Sequence, residues 1–482
     1  MRLSQSTLKT PLPYDRSKVT PGIVHLGIGA FHRAHMAVYV DDSLGKDPSW
    51  GIIGASLRRP DTKDALAPQD HLYTVAIRDA AGTKARVIGS ILNVLDANSQ
   101  RPELIVTMAD PRIRIVSLTV TEKGYCHDPA TGNLDPKHPD IIADLANPAA
   151  PVSAPGLIVR ALELRREAGN APFTVMSCDN LPSNGKTVGR IVTQFARLRD
   201  PTLAEWIEKN VAFPSTLVDR IVPATTDADR DTVRELTGTE DAWPIMTEPF
   251  TQWVIEDHFP QGRPAWETVG AQLVDEVEQF ELMKLRMLNG SHSTMSYLGY
   301  LGGYQYVNEA IADAGIRALV HGLMSHEVMP TLPMPRAELE AYRDALLARF
   351  ANPALKHRTW QIAMDGSQKL PQRLLGTIRD RIAAGAPYGR LALGVAAWMR
   401  YVTGIDEQGG AIDVKDPHAA KLRAIADAAG SDAARLVDGL LGMTEIFGMD
   451  LPGNAAFRDV VVAHVRSLFE RGALATVKQA SQ

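Results

Sequence analysis

From Gly22 to Arg199, short apolar runs alternate with stretches of helical period, and that alternation admits few folds. Gly22-Ile23-Val24-His25-Leu26 ends in Gly27-Ile28-Gly29, and Ala30 to Tyr39 then carries apolar residues at helical spacing. Gly51 to Leu57, Arg86 to Ile91, Ile113 to Val120 and Phe173 to Cys178 read as further strands. Helical stretches such as Gly156 to Arg166 and Gly189 to Arg199 fall after such runs. Strands separated by helices pair in parallel through right-handed crossovers, so the expected class is α/β with a doubly wound parallel sheet. Ligands of such sheets bind beyond the carboxyl ends of the strands. From about Ser293 the strand signal fades, and Leu319 to Glu327, Arg336 to Arg349, Ala392 to Tyr401 and Phe457 to Glu470 predict a mostly α-helical second domain. Gly404 to Gly410 and Gly453-Asn454 read as loops within it.

With 482 residues the chain is long enough for at least two domains and a deep cleft. A formal net charge of -5 supplies no broad cationic field, which argues against nucleic acid or anionic lipid as partner. Two cysteines, Cys126 and Cys178, make no disulfide framework and fit a reducing compartment. The stretch Met1 to Ser6 has no apolar core of the kind secretory signals carry, and no apolar run approaches the length of a membrane span, so the expected location is the cytoplasm. The same shortage of cysteine argues against the zinc-dependent way of oxidising alcohols. His32 and His35, one helical turn apart, lack a further ligand at suitable spacing, so no metal is expected; one imidazole should pack and the other face a cofactor or solvent.

The turn Gly27-Ile28-Gly29 is the likeness of a dinucleotide fingerprint, because a side chain there would keep the backbone from a pyrophosphate stabilised by free N–H groups at the next helix start. His32 stands where the third glycine usually falls, so an ordinary βα turn is the competing reading. Two polar loops leave buried strands at the same edge: Thr121-Glu122-Lys123-Gly124-Tyr125 and Asp179-Asn180-Leu181-Pro182-Ser183-Asn184-Gly185. Asp61 is the nearest acid after the second strand and would bind the ribose hydroxyls of NAD; Arg58 and Arg59 just before it would instead suit the 2′-phosphate of NADP. NAD is the expected cofactor.

The segment Phe280 to Ser293 has helical composition. At about 100° per residue Glu281, Lys284, Asn289 and His292 share an arc of about 140° with Leu285 and Leu288. An apolar setting lowers the pKa of a lysine, and oxidation of a secondary alcohol needs a base to take the hydroxyl proton while hydride leaves carbon. Asn289 and Asn180 amides could donate to the developing alkoxide, Glu281 could relay the proton to water, and His292 could hold a substrate hydroxyl. A helix with ordinary surface charges and a capping Asn-Gly is the alternative.

Taken together, Gly27-x-Gly29-x-Phe31-His32-Arg33-x-His35, Thr121 to Tyr125, Ser177-Cys178-Asp179-Asn180 and Lys284-x4-Asn289-x2-His292 resemble the mannitol dehydrogenase family, the polyol-specific long-chain dehydrogenases. The resemblance implies a Rossmann-type NAD-binding domain at 1–283, a helical substrate-binding domain at 284–482, catalysis in the cleft between them, and no metal. It implies cofactor contacts from Gly27, Gly29, Ala30, Phe31, Asp61, Glu122 and Lys123. Lys284 matches the family's general base, Asn180 and Asn289 its oxyanion hole, His292 its positioning residue and Glu281 its proton relay. Asp219 and Lys369 match substrate-binding positions. Val116 to Tyr125, Trp253 to Asp257 and His357 to Pro371 look most like fructuronate reductases, also called mannonate oxidoreductases.

Gln361 stands where mannitol-type members can carry a substrate-binding arginine, whereas Arg358, Lys369 and Arg373 gather in sequence and any of them facing the cleft would pair with a substrate carboxylate; the competing reading is that two of the three serve surface helices. The expected reaction is therefore NAD-dependent interconversion of D-mannonate and D-fructuronate by a monomer. D-Mannitol with D-fructose, or another polyol such as D-arabinitol, is the alternative within the class, and a non-catalytic NAD-sensing protein the alternative outside it.

Overall fold

In the computed structural model, which describes residues 1–128 and 131–480, the strands follow one another as β1 (Pro21–Leu26), β2 (Gly51–Ser56), β3 (Tyr73–Asp79), β4 (Gly82–Ile88), β5 (Ile91–Asp96), β6 (Ile115–Leu118), β7 (Thr174–Ser177), β8 (Thr216–Asp219), β9 (Ile245–Thr247), β10 (Gln252–Glu256) and β11 (Gln272–Val274). Five of them form a parallel sheet in the order β5-β2-β1-β6-β7. Leu26 pairs with Ala55 on one side and Leu118 on the other, so the order reverses at β1 and opens a crevice at the strand ends.

Both faces of this sheet are covered, which explains why its strands carry apolar residues on consecutive positions rather than in alternation. Val24, Val116 and Val175 pack with Leu104, Ile158, Ile191 and Ile207 from the helices on one face. Their neighbours Ile23, Ile115 and Met176 join Val40, Trp50, Trp253 and Trp266 in a second core. Helices at Ala154–Glu167 and Asn184–Arg199 extend the predicted ones by a few residues at their N-terminal ends.

The reading of Arg86 to Ile91 as one strand is corrected. That run ends β4 and begins β5, which lie in different sheets. At the break, Gly89 N–H donates to Asp41 Oδ1 at 2.8 Å and Ser90 Oγ to the Ala37 carbonyl at 2.7 Å, both on the helix Met36–Ser43. Two smaller sheets, β4-β3-β9 and β11-β10-β8, were not signalled as such.

The chain divides into two compact units, Met1–Glu278 and Gln279–Gln482. The second is helical and holds no strand among the described residues. Its centre is Gly389–Tyr401, where every residue from Leu391 to Tyr401 is buried, a helix apolar all round because other helices surround it. Gly453-Asn454 is a helix start rather than a bare loop: the Asn454 side chain accepts from Phe457 N–H at 3.0 Å and caps Ala455–Arg471. Among the described residues no helix is long and apolar enough to cross a membrane.

Candidate active site

In the first unit the strand ends enclose a cavity of about 730 Å³. Gly27, Ile28 and Gly29 reach it from β1, Ser56 to Arg59 from β2, Ala97, Asn98 and Arg101 from β5, and Thr119 to Thr121 with Lys123 and Gly124 from β6. This is the crevice where open α/β sheets hold their ligands, and Arg58, Arg59, Arg101 and Lys123 make it cationic, as a pyrophosphate requires.

The two glycines have different reasons to be glycine. Gly27 has φ 93°, and an added Cβ would stand 2.1 Å from the Thr119 carbonyl oxygen, so the fold itself excludes a side chain. At Gly29 the nearest atom to an added Cβ is the Gly27 carbonyl oxygen at 3.9 Å, so the chain would tolerate one; only a ligand in the cavity would not.

Four residues expected at the cofactor are not among those that line this cavity. Ala30 and Phe31 pack against the core of the sheet, with the Phe31 ring stacked on His35 at 5.0 Å. Asp61 is exposed, 3.9 Å from Arg59, and Glu122 is exposed; neither lines the cavity, whereas Arg58, Arg59 and Thr62 do.

The histidines are packing residues. His32 is fully buried and stacked on His25 of β1 with ring centroids 3.4 Å apart, filling the space that a third glycine would leave. His25 bridges Ser117 Oγ and Thr119 Oγ1, each at 2.8 Å, and Thr119 Oγ1 donates to the Gly27 carbonyl at 2.7 Å, tying the glycine turn to β6. His35 is buried too, with Nε2 2.9 Å from the Gln252 carbonyl, so it faces neither cofactor nor solvent as expected. Burial holds His25 down to about 3 and His32 well below the ordinary range, so both are neutral in the fold. An unfolded imidazole gains its proton below about pH 6.5 while these do not, so their contribution is intact above that pH and is lost as pH falls toward 3, by about 1.4 kcal/mol per pH unit per group. His32→Leu is expected to flatten the fall in urea midpoint between pH 7 and pH 5; an unchanged slope would rule out His32 as a source.

Sequence reasoning passed over Asp179, although it ends a buried strand within a motif already singled out. Its carboxylate accepts from Val120 N–H at 2.9 Å, Thr121 N–H at 3.0 Å and Tyr125 OH at 2.7 Å, stapling the loop after β6 to the end of β7. Thr121 has φ 64°, unusual for a β-branched residue, and the bond to Asp179 helps hold it there. Burial raises the Asp179 pKa against the pull of these donors. Asp179→Asn turns one acceptor oxygen into a donor facing a donor, and is expected to cost about 1–3 kcal/mol of stability and to weaken dinucleotide binding about tenfold. Thermal denaturation and a fluorescence titration with NADH measure the two effects. Asn180, next along, is exposed at the carboxyl end of this sheet, and Asp219 is buried at the end of β8.

In the second unit the expected regular helix from Glu281 to His292 is interrupted. An α-helix Glu278–Met283 passes into a π turn, Lys284–Asn289, and then into the α-helix Gly290–Leu301. Gly290 N–H bonds the Leu285 carbonyl, the five-residue step of a π turn. The arc counted at about 100° per residue therefore does not apply. Lys284 and Asn289 stand five apart, which in an α-helix separates them by about 140° but in a π turn places one nearly above the other. The turn is held from behind: Arg286 pairs with Asp380 at 2.6 Å and donates to Thr331 Oγ1 at 2.7 Å, and Met287 and Leu288 are buried. An added Cβ on Gly290 would come within 2.9 Å of the Arg373 carbonyl oxygen, so glycine lets the turn approach a second π turn, Pro371–Leu375.

Lys284, Asn289 and Glu281 are half-buried. His292 lies against Phe350 and His357 at ring distances of 4.8 and 5.5 Å. Burial first, then His357, Arg349 and Arg373, hold its pKa well below the ordinary range, so it is a neutral donor and acceptor. Arg373 donates to Ser293 Oγ at 3.2 Å, one residue beyond His292, and burial lowers its pKa. Lys369 donates to the Ile362 and Met364 carbonyls, and its pKa is lowered by burial and by Arg373. None of the ion pairs among the described residues involves Lys369 or Arg373. Arg358 does not join them: it is exposed and lines a separate cavity of about 330 Å³ with Tyr300, Tyr304 and Trp360.

Comparison with known proteins bears on the whole chain. Residues 21–268 match the mannitol dehydrogenase Rossmann domain and residues 276–469 the mannitol dehydrogenase C-terminal domain. The D-mannonate oxidoreductase of Escherichia coli is 51% identical over 467 residues, covering 95% of this chain and 96% of that protein. A ternary complex of Pseudomonas fluorescens mannitol 2-dehydrogenase with NAD and D-mannitol is 41% identical, with a TM-score of 0.80, and covers 100% of this chain and 99% of that one. A D-sorbitol dehydrogenase in substrate-free form is 34% identical, with a TM-score of 0.94, and covers 99% of this chain and 100% of that one. With both of its units matched and relatives of this identity aligned over almost its whole length, the chain belongs to the mannitol dehydrogenase family of oxidoreductases acting on CH–OH groups.

Proposed function

We propose that this chain interconverts D-mannonate and D-fructuronate, with NAD as hydride acceptor and Lys284 as base. The observation that carries the choice of a sugar acid is the pair Lys369 and Arg373, two partly buried cations one helical turn apart that make no close ion pair among the described residues, Asp365 and Asp416 acting on Lys369 only from a distance. A substrate carboxylate would complete them. The likeness to the D-mannonate oxidoreductase supports the same choice.

NAD, when bound, takes the hydride from the alcohol carbon. Lys284 takes the hydroxyl proton, and Glu281 passes it on toward water. The Asn289 amide donates to the oxygen as charge develops there, and by the family likeness Asn180 supplies a second such amide. His292, held neutral, bonds a neighbouring substrate hydroxyl without competing for the proton. Asp219 and Lys369 take the remaining polar groups of the substrate. The first unit's cavity is read as the dinucleotide site, with Gly27, Gly29 and Lys123 against the cofactor; Arg58 and Arg59 are where a 2′-phosphate would be accommodated.

Turnover of D-mannonate, D-mannitol, D-arabinitol and D-sorbitol with NAD and with NADP tests this reading, D-mannonate with NAD being expected to give the highest kcat/KM. Arg373→Ala should raise KM for D-mannonate about 10–100-fold and leave that for D-mannitol nearly unchanged, as loss of a charge-assisted bond to a carboxylate requires. A preference for D-mannitol in the unaltered protein would favour instead the reaction named for the mannitol 2-dehydrogenases to which the chain is also similar.

A further inference from the structure

Beside the strand ends lies a cluster that the hydride-transfer reading does not use. A thiol, an imidazole and a carboxylate, those of Cys126, His138 and Asp140, bring one ligand atom each to within 4.8 Å of one another. They come from two segments. Cys126 follows the turn Glu122–Tyr125 with φ 53°, a left-handed conformation that a residue with a side chain adopts uncommonly, and its carbonyl accepts from Asp135 N–H at 2.9 Å. His138 caps the helix Pro139–Ala146, its Nδ1 accepting a long bond of 3.2 Å from Asp140 N–H and standing 3.9 Å from Asp140 Oδ2. Around a tetrahedral zinc ion a nitrogen and an oxygen ligand lie about 3.4 Å apart and a thiolate about 3.6 Å from either, so closing these side chains by at most about 1.4 Å would complete the geometry.

We propose that Cys126, His138 and Asp140 form a site for a thiophilic divalent cation of the zinc class, at the edge of the dinucleotide cavity, and that its occupancy weakens dinucleotide binding. The ligand set of sulfur, nitrogen and oxygen is the kind zinc takes, with the fourth position left to water. Asp140, Asp144 and Asp135 place negative potential at the buried thiol, opposed only weakly by Arg58, and a dication would relieve it. Asp144 itself is occupied by Val152 N–H, Ser153 N–H and Ser153 Oγ, which leaves Asp140 as the carboxylate able to reach the ion. His138 and Asp140 both line the cavity, so the ion would fix two of its wall side chains and bring a bound water into its space. Coupling of this kind is reciprocal: whatever the ion does to dinucleotide affinity, the dinucleotide does to the ion. This second half of the proposal rests on reading the cavity as the dinucleotide site; the metal site does not.

The test uses chelator-treated full-length protein titrated with Co²⁺ in place of zinc. The expected result is an intense thiolate-to-cobalt charge-transfer band saturating at one ion per chain, lost in Cys126→Ser and in His138→Gln. Because Cys126 is buried, thermal denaturation without metal accompanies each variant, and the half-buried His138 serves if Cys126→Ser does not fold. Cobalt binding without that band, or a band that survives in both variants, would overturn the site. An NADH fluorescence titration should then show affinity falling at least threefold in saturating Zn²⁺, with no such fall in His138→Gln. Unchanged NADH affinity would overturn the coupling, and no NADH binding in metal-free protein would instead sink the dinucleotide reading while leaving the cobalt result to judge the site.

Discussion

Lys284→Ala is expected to lower kcat for D-mannonate oxidation by about 10²–10⁴ while leaving NADH affinity and the melting temperature close to those of the unaltered protein. Lys284 opens a π turn whose other end is Asn289, and the five-residue spacing puts base and amide on the same side of the chain. The turn's packing comes from Arg286, Met287 and Leu288, all of which Lys284→Ala leaves in place. Asn289→Ala, which keeps the base, should slow both reaction directions by about 10²–10³. Steady-state rates in both directions, with NADH titration as the control, measure these effects. If Lys284→Ala turned over as fast as the unaltered enzyme, the base would have to be sought elsewhere.

Gly27→Ala and Gly29→Ala should separate what the fold requires from what a ligand requires. At position 27 the new methyl group would meet the Thr119 carbonyl oxygen at 2.1 Å and its carbon at 2.7 Å, on a backbone at φ 93°. Neither strand can yield cheaply, because Thr119 is tied through its hydroxyl to Gly27 and His25. A loss of about 2–4 kcal/mol in stability is expected, together with loss of NADH binding. Gly29→Ala should fold as well as the unaltered protein and still lose affinity, since its methyl group makes no contact tighter than the 3.9 Å to the Gly27 carbonyl oxygen but lies on the cavity wall. Urea denaturation and NADH titration of the pair decide this, and undiminished affinity in Gly29→Ala would remove Gly29 from the cofactor site.

The parallel sheet was legible because its strands are buried on both faces: Val24 and Ile23, or Val116 and Ile115, point to opposite cores, so apolar residues stand on consecutive positions. The same signal misled at Arg86 to Ile91, where one run serves two sheets and the break is made by Asp41 and Ala37, residues far away in sequence. Cation grouping along the chain also overreached, for Arg358 is carried to another cavity while Lys369 and Arg373 stay together. Lys284, Asn289 and His292 were found from their spacing, but the arc that joined them assumed an α-helix throughout. The extra residue of the π turn leaves no mark in hydrophobic period, and only the backbone bond from Gly290 to Leu285 reveals it. Asp179 escaped for a different cause: a buried carboxylate that serves backbone N–H groups looks, in sequence, like any acid in a turn.

The central claim, that the amine of Lys284 takes the alcohol proton, is tested most directly by rescue of Lys284→Ala with small primary amines. Added methylamine or ethylamine is expected to restore D-mannonate oxidation in proportion to the unprotonated amine, while Asn289→Ala is not rescued. Lys284→Ala oxidising D-mannonate at the unaltered rate without any added amine would contradict it.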